Sequence, residues 1–69
     1  MKYQVTVWKY DGTQLDSMYE FGAATYWNAI ELFDLVCRAQ KGYYRAWLID
    51  VEENKEVRSS SVLHDAIGA

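Results

Sequence analysis

The sequence lacks several residue types that mark common structural classes. Its 69 residues include no proline, one cysteine and one histidine. A single cysteine excludes an internal disulfide, and one cysteine with one histidine is too few ligands for a structural zinc site. The chain also has no long apolar run, no secretory leader and no lipidation signal. These absences predict a cytoplasmic protein that does not enter a membrane.

Basic residues are scarce as well. Seven Lys and Arg stand against ten Asp and Glu, which gives a formal net charge of −3. A protein that binds nucleic acid usually carries a basic excess, because neutralising phosphates supplies much of its affinity. Direct binding to nucleic acid is therefore disfavoured. One segment still interleaves basic and aromatic residues, as in a single-strand platform: Arg38, Lys41, Tyr43, Tyr44 and Arg45.

The chain shows no catalytic or cofactor-binding pattern. His64 has no supporting nucleophile or carboxylate, and we interpret it as a surface histidine. Cys37 falls on the apolar face of a predicted helix, which is typical of a buried structural thiol. Glycine-rich phosphate loops and clustered metal ligands are absent. We therefore predict a protein that is not an enzyme and binds neither cofactor nor metal.

Aromatic residues, by contrast, are abundant. Three Trp, six Tyr and two Phe make up 16% of the chain, and 51% of it is hydrophobic. That apolar share predicts a folded domain, and the length allows only one, covering residues 1–69. A chain this short buries only about 60% of the surface that its unfolded form exposes. Some rings should therefore lie at the surface, where a partner or a second copy can add stability.

The first half of the chain predicts a hairpin. Residues 2–10 alternate at period two, with Val5 and Val7 on one face and Trp8 on the other. Asp11-Gly12 predicts a two-residue turn, because both residue types tolerate positive φ. Residues 13–21 should form the returning strand, and their alternation groups Leu15 with Tyr19 and Phe21.

The segment from residue 25 to residue 41 predicts the only long helix. Thr25 is a suitable N-cap, and Gly42 should end the helix at the C′ position. One face of this helix is apolar and should contact the sheet: Tyr26, Ala29, Ile30, Phe33, Val36 and Cys37.

Residues 43–51 form the strongest predicted strand, since it is apolar on both faces and so should be central. A polar turn at residues 53–55 follows, where Asn54 can adopt the left-handed conformation. Residues 56–61 predict a polar edge strand. Residues 62–69 predict a last turn anchored by Leu63 and Ile67.

This order of elements predicts an α+β fold. A small antiparallel sheet would carry one helix packed on one face, as a two-layer sandwich with the order ββαββ. If residues 13–21 form a loop instead, the order becomes βαββ.

Three surfaces are left as candidates for binding, and the first is the sheet face that the helix does not cover. At least two aromatic side chains should lie there, drawn from Trp8, Tyr10, Tyr43 and Trp47. Rings with a polar tip are enriched at interface hot spots. The alternative is that the C-terminal segment folds back over this face and buries them.

The second surface is the outer face of the helix. Trp27 shares a polar wedge with Glu31 and Asp34, and a large ring among charges is typical of an interface anchor. Leu32 and Leu35 widen the apolar stripe beyond what one sheet requires. This extra flank either packs at the edge of the sheet or receives a partner.

The third surface is an acidic turn. It clusters four carboxylates: Asp50, Glu52, Glu53 and Glu56. Such a turn can be attracted to the basic groove of a nucleic-acid enzyme. The alternative is a solvated turn that aids solubility.

In overall style the chain resembles the compact phage-encoded inhibitors, including anti-CRISPR proteins. The features that carry the resemblance are the Asp11-Gly12 hairpin, the single helix ending at Gly42 and the acidic turn from Asp50 to Glu56. The likeness is one of architecture and assigns no residue roles. It implies stoichiometric binding to a larger protein or protein–nucleic acid complex in the host cytoplasm.

We therefore predict a non-enzymatic protein-binding module that uses exposed aromatic and acidic side chains. Two alternatives stay open. One is a structural homo-oligomer, such as a homodimer, that pairs through the free sheet face. The other is a weak single-stranded nucleic-acid binder that uses residues 38–45.

Overall fold

The chain folds in the first of the two predicted orders, strand, strand, helix, strand, strand. The computed structural model describes residues 2–67. Its elements are β1 (Tyr3–Asp11), β2 (Gln14–Ala23), α1 (Tyr26–Ala39), β3 (Tyr44–Asp50) and β4 (Lys55–Val62), then a 3-10 turn (Asp65–Ile67). The strands form one antiparallel sheet in the order β2-β1-β3-β4. The predicted α+β fold is thus confirmed; residues 68–69 of the predicted last turn lie outside the described residues.

Two central strands build one side of the core. Val5 pairs with Leu48 and Val7 with Ala46 across β1 and β3. All four side chains are buried, together with Phe33 from α1. Because strand side chains alternate, the remaining residues of β1 and β3 point to the side that α1 does not cover, which we call the open face.

The β1–β2 hairpin turns one residue later than predicted. Asp11 still belongs to β1 and pairs with Gln14, so the loop consists of Gly12 and Thr13. Gly12 has φ +62. A glycine with positive φ at the first loop position is the requirement of a type II′ turn.

A register shift in β2 changes which of its residues share a face. Phe21 pairs with Val5, and Tyr19 pairs with Val7, so both rings lie on the helix side. Between Lys9 and Tyr10 the register shifts, and Leu15 pairs with Tyr10. An extra residue moves everything beyond it to the other face. The predicted grouping of Leu15 with Tyr19 and Phe21 is therefore wrong.

The helix begins as predicted but faces the core slightly differently. Thr25 is the N-cap, with extended backbone (φ −122), and its Oγ1 accepts the Asn28 N–H at 3.2 Å. Tyr26, which we expected on the core face, is 40% exposed. Leu32, expected to lie away from the core, packs against it near the β2 side. The contact face is thus rotated toward Leu32.

The helix ends at Ala39, two residues earlier than predicted. The Gln40 N–H donates to the Cys37 carbonyl at 3.3 Å, and the Gln40 side-chain amide donates to the Val36 carbonyl at 2.7 Å. These bonds satisfy carbonyls of the last turn, which otherwise lack partners. Gly42, with φ +106, therefore lies in the following loop and not at C′.

Candidate functional site: an aromatic and acidic end of the sheet

Trp27 is the most exposed large apolar side chain among residues 2–67, at 72%. It lies in the first turn of α1, just after the N-cap. Its ring packs edge-on against Tyr26, with 5.2 Å between centroids, and Tyr26 packs edge-on against Tyr3 at 6.0 Å. Tyr3 belongs to the buried core. A row of three rings thus connects the core to an exposed indole and limits the positions that the indole can take.

The same end of the sheet carries the acidic turn. Tyr3 pairs with Asp50 across β1 and β3, and the turn between β3 and β4 follows Asp50 directly. The Val51 N–H donates to the Lys2 carbonyl at 2.9 Å, which holds the start of the turn against the start of β1. We call this region the acidic-aromatic end; it consists of Tyr3, Tyr26, Trp27 and residues 50–56.

The carboxylates of the turn have different roles. Asp50 is half-buried, and its Oδ1 accepts the Glu53 N–H at 3.1 Å, so this carboxylate shapes the turn. Asn54 closes the turn with φ 52, as predicted. Glu52, Glu53 and Glu56 are exposed. Three of the four predicted acidic residues therefore present their charge to solvent.

The outer face of α1 extends the negative surface away from Trp27. Glu31 and Asp34 follow one and two turns along the same stripe, and both are exposed. The Arg38 Nε donates to the backbone carbonyl of Asp34 at 3.3 Å. This guanidinium is thus engaged by the backbone, and the Asp34 carboxylate stays at the surface.

The open face carries the other two tryptophans. Trp8 and Trp47 pack edge-to-face, with 5.1 Å between ring centroids. The prediction that at least two rings lie opposite the helix is thereby confirmed, and Trp47 is assigned to that side. Both rings are half-buried, and Leu63, from the segment after β4, lines a shallow cavity beside Trp47. The C-terminal segment thus reaches part of this face, and its rings offer less free surface than Trp27 does.

Tyr10 and Tyr43 lie at the opposite end of the sheet from Trp27. The Tyr10 N–H donates to the Tyr43 carbonyl at 3.0 Å, and both side chains are half-buried. The Tyr43 ring meets the His64 ring edge-on at 5.5 Å. The His64 Nδ1 accepts the Ala66 N–H at 3.1 Å, so this histidine caps the 3-10 turn. These two predicted contact residues are therefore separated from Trp27 by the length of the strands.

The basic and aromatic residues around β3 do not form a stacking platform. Tyr44 is buried on the helix side, and its hydroxyl shares a 2.9 Å hydrogen bond with the Ser60 hydroxyl. Tyr43 precedes it in the loop and packs on His64 instead. A single-strand platform needs neighbouring rings with free faces. Tyr44 offers no free ring face, because it is only 7% exposed.

Sequence reasoning missed Tyr3 and Tyr26 as parts of the site, because their spacing is that of core residues. The available signal was position: Tyr26 lies in the first helical turn, beside Trp27 and at the limit of the sheet. A ring there can pack inward with one edge and stay exposed on the other. Its exposed fraction of 40% and its contacts on both sides fit that position.

Comparison of the chain with protein-family models, with curated proteins and with solved structures found no match. Within residues 2–67, none of the helices is long and apolar enough to cross a membrane. In the same residues, no three His, Cys, Asp or Glu side chains come together as metal ligands.

Proposed function

We propose that this protein is a non-enzymatic protein-binding module that docks through its acidic-aromatic end. The observation that carries the proposal is the exposure of Trp27, 72%, at the tip of a row of rings anchored in the core. Trp and Tyr give a large contact area for few rotatable bonds, so ordering them on binding costs little entropy. Such rings dominate binding energy at interfaces.

The charge around Trp27 favours a basic partner surface. Glu31 and Asp34 continue along the helix from Trp27, and Glu52 and Glu53 lie in the turn at the same end of the sheet, all of them exposed. Glu56 pairs with Ile49 and points to the open face. Together with the net charge of −3, the carboxylates of the helix and the turn attract a surface rich in Lys and Arg and raise the rate of encounter. Burial of the indole then slows dissociation, and differences in dissociation rate account for most differences in affinity between related complexes.

Basic grooves are typical of proteins that handle nucleic acid, since the groove must neutralise phosphate. A small acidic domain that fills such a groove blocks it stoichiometrically. We propose this mode of action for the protein: inhibition of the phage-encoded type, directed at a larger protein or nucleoprotein complex in the host cytoplasm. No catalytic step is required of it.

Affinity capture from native lysate tests the proposal with three matched baits: the wild type, Trp27→Ala and Val62→Ala. Val62 is also an exposed apolar residue, at 52%, but it pairs with Tyr44, far from the acidic-aromatic end. We expect one partner with a basic surface, retained equally by the wild type and Val62→Ala. Loss of a hot-spot ring costs about 2 kcal/mol or more of binding free energy, so the Trp27→Ala bait should retain the partner about thirtyfold less well.

The same capture, repeated over a range of salt concentrations, tests the charge. Attraction between the exposed carboxylates and a basic surface should weaken as salt rises. Equal retention by Trp27→Ala and the wild type would contradict the proposal, as would an acidic partner or capture that salt leaves unchanged. Circular dichroism of each bait verifies that the variant is folded.

A further inference from the structure

The two edges of the sheet differ in how they are protected against pairing with another strand. The edge strand β4 carries Lys55, Glu56 and Arg58, and its pairing with β3 is interrupted by a register shift. Charges and irregular pairing are common means of protecting an edge. The other edge strand, β2, is ten residues long and carries two charged residues, Asp16 and Glu20. Its own register shift lies at Asp16, so residues 17–23 pair with β1 without interruption. Its outer N–H and C=O groups face away from β1 and form a free pairing edge.

The side chains of β2 leave an apolar surface beside this free edge. Tyr19 and Phe21 are 48% and 41% exposed, and their rings stack at 6.5 Å with 17° between planes. They lie on the helix side, where Val36 and Ala39 line the same groove. The helix covers β1 and β3 but leaves these two rings half uncovered. Neither residue belongs to the acidic-aromatic end.

We propose that two copies of this chain pair β2 to β2, antiparallel, about a two-fold axis at Tyr19. The pairing joins the two sheets into one continuous sheet and places both helices on the same side of it. The two Tyr19 rings then meet across the axis, and each Phe21 lies diagonally from the Tyr19 of the other copy, within reach of an aromatic ring. This contact goes beyond the proposed function, because it is made by the edge of β2 and no residue of the acidic-aromatic end belongs to that strand.

The register follows from the charges of β2. Residues that face each other across antiparallel strands have their side chains on the same side of the sheet. In a symmetric pair this holds only when one residue lies directly opposite its own copy, so the two-fold axis must pass between the two copies of a single residue. An axis at Met18 sets Asp16 against Glu20, and an axis at Glu20 sets the two Glu20 carboxylates against each other; like charges directly opposed are destabilising. An axis at Tyr19 sets Glu20 against Met18.

Axes farther along the strand in either direction are also disfavoured. An axis at Ser17 brings the partner strand against the register shift near Asp16, where the ladder is irregular. An axis at Phe21 leaves the first half of β2 without a partner. The axis at Tyr19 pairs residues 17–21 of the two copies, short of the register shift, and keeps their carboxylates from facing each other directly. It also places Tyr19 and Phe21, the two rings of the strand, near the centre of the contact.

Sedimentation over a range of protein concentrations tests the pairing. We expect a monomer–dimer equilibrium for the wild type and a monomer for Tyr19→Lys, because two ammonium groups would face each other across the axis. Val62→Lys is the matched control, since it adds the same charge at an exposed apolar position of the opposite edge strand. It should dimerise as the wild type does, and circular dichroism verifies that both variants fold.

Disulfide trapping tests the register. In a Cys37→Ser background, single cysteines replace Met18, Tyr19 or Glu20, and copper phenanthroline is the oxidant. The two copies of Tyr19→Cys should cross-link, because directly opposed residues are about 5 Å apart. Met18→Cys and Glu20→Cys should not, since each lies roughly 8–9 Å from its own mate in this register, beyond the reach of a disulfide.

Three results would overturn the proposal. The first is a wild type that stays monomeric at millimolar concentration. The second is cross-linking that favours Met18→Cys or Glu20→Cys over Tyr19→Cys. The third is a dimer that persists in Tyr19→Lys but is lost in Trp8→Ala, which would assign self-association to the open face. None of these results bears on the capture experiment with Trp27→Ala.

Discussion

At the scale of single residues, Cys37 shows how surroundings decide a role that residue type leaves open. The side chain is half-buried between α1 and the sheet, beside Phe33 and Ser60. Burial raises the pKa of the Cys37 thiol above its usual value, the Asp34 carboxylate adds to this, and the nearby hydroxyls of Tyr44 and Ser60 offset it only in part. The thiolate, which is the nucleophile, is therefore scarcer than in a free cysteine.

Alkylation should accordingly be slow in the folded protein. We expect iodoacetamide to modify Cys37 more slowly than a free cysteine at pH 8, with the rate profile displaced to higher pH, and to modify it readily in urea. The folded state holds the thiol proton more tightly than the unfolded chain does. The free energy of unfolding that this difference contributes is small; it is present at neutral pH and is lost as pH rises through the thiol pKa. A folded-state rate equal to that of free cysteine would contradict this account.

Residues whose conformation is set locally were the ones that the sequence predicted well. Asn54 takes positive φ because its short polar side chain tolerates the left-handed region. Thr25 caps the helix because its hydroxyl reaches a free amide of the first turn. Tyr26 was misplaced because its exposure depends on where the helix lies relative to the end of the sheet, which no local pattern specifies.

At the scale of elements, the cap at Thr25 fixes the start of α1 and so the position of the ring that follows. Thr25→Ala should lower the free energy of unfolding by about 1 kcal/mol, because the Asn28 N–H loses its acceptor. Thr25→Ser keeps the hydroxyl and should retain most of the stability. Urea unfolding measures both variants; equal losses for Ala and Ser would show that the hydroxyl contributes nothing.

Strand β2 marks the limit of period-two reasoning. Its existence and its hairpin with β1 follow from alternation and from the glycine in the turn. Which face each residue of β2 occupies does not follow from alternation, because one extra residue near Asp16 moves Leu15 away from the face of Tyr19 and Phe21. Register shifts of this kind depend on pairing with the neighbouring strand, so the pattern within one strand gives no signal of them.

At the scale of the whole molecule, most of the core could be predicted, because the alternation in β1 and the helical stripe of α1 each give one apolar side. The segment of β3 is apolar on both faces, and only its pairing with β1 sets which face is buried under the helix. The candidate site could not be predicted as a unit. The sequence indicates Trp27 and the acidic turn separately, because they are more than 20 residues apart in the chain. They share one end of the sheet only because the β1–β3 register sets Tyr3 against Asp50.

The central claim is that the partner binds at the acidic-aromatic end, and the three tryptophans allow one direct measurement of it. In a proton–nitrogen NMR spectrum, Trp8, Trp27 and Trp47 each give one indole N–H signal. On titration with the captured basic partner, we predict that the free Trp27 signal is replaced by a bound signal at a new position, in proportion to the bound fraction, while the Trp8 and Trp47 signals keep their positions. Shifts at Trp8 or Trp47 with an unchanged Trp27 signal would contradict the claim and assign binding to the open face.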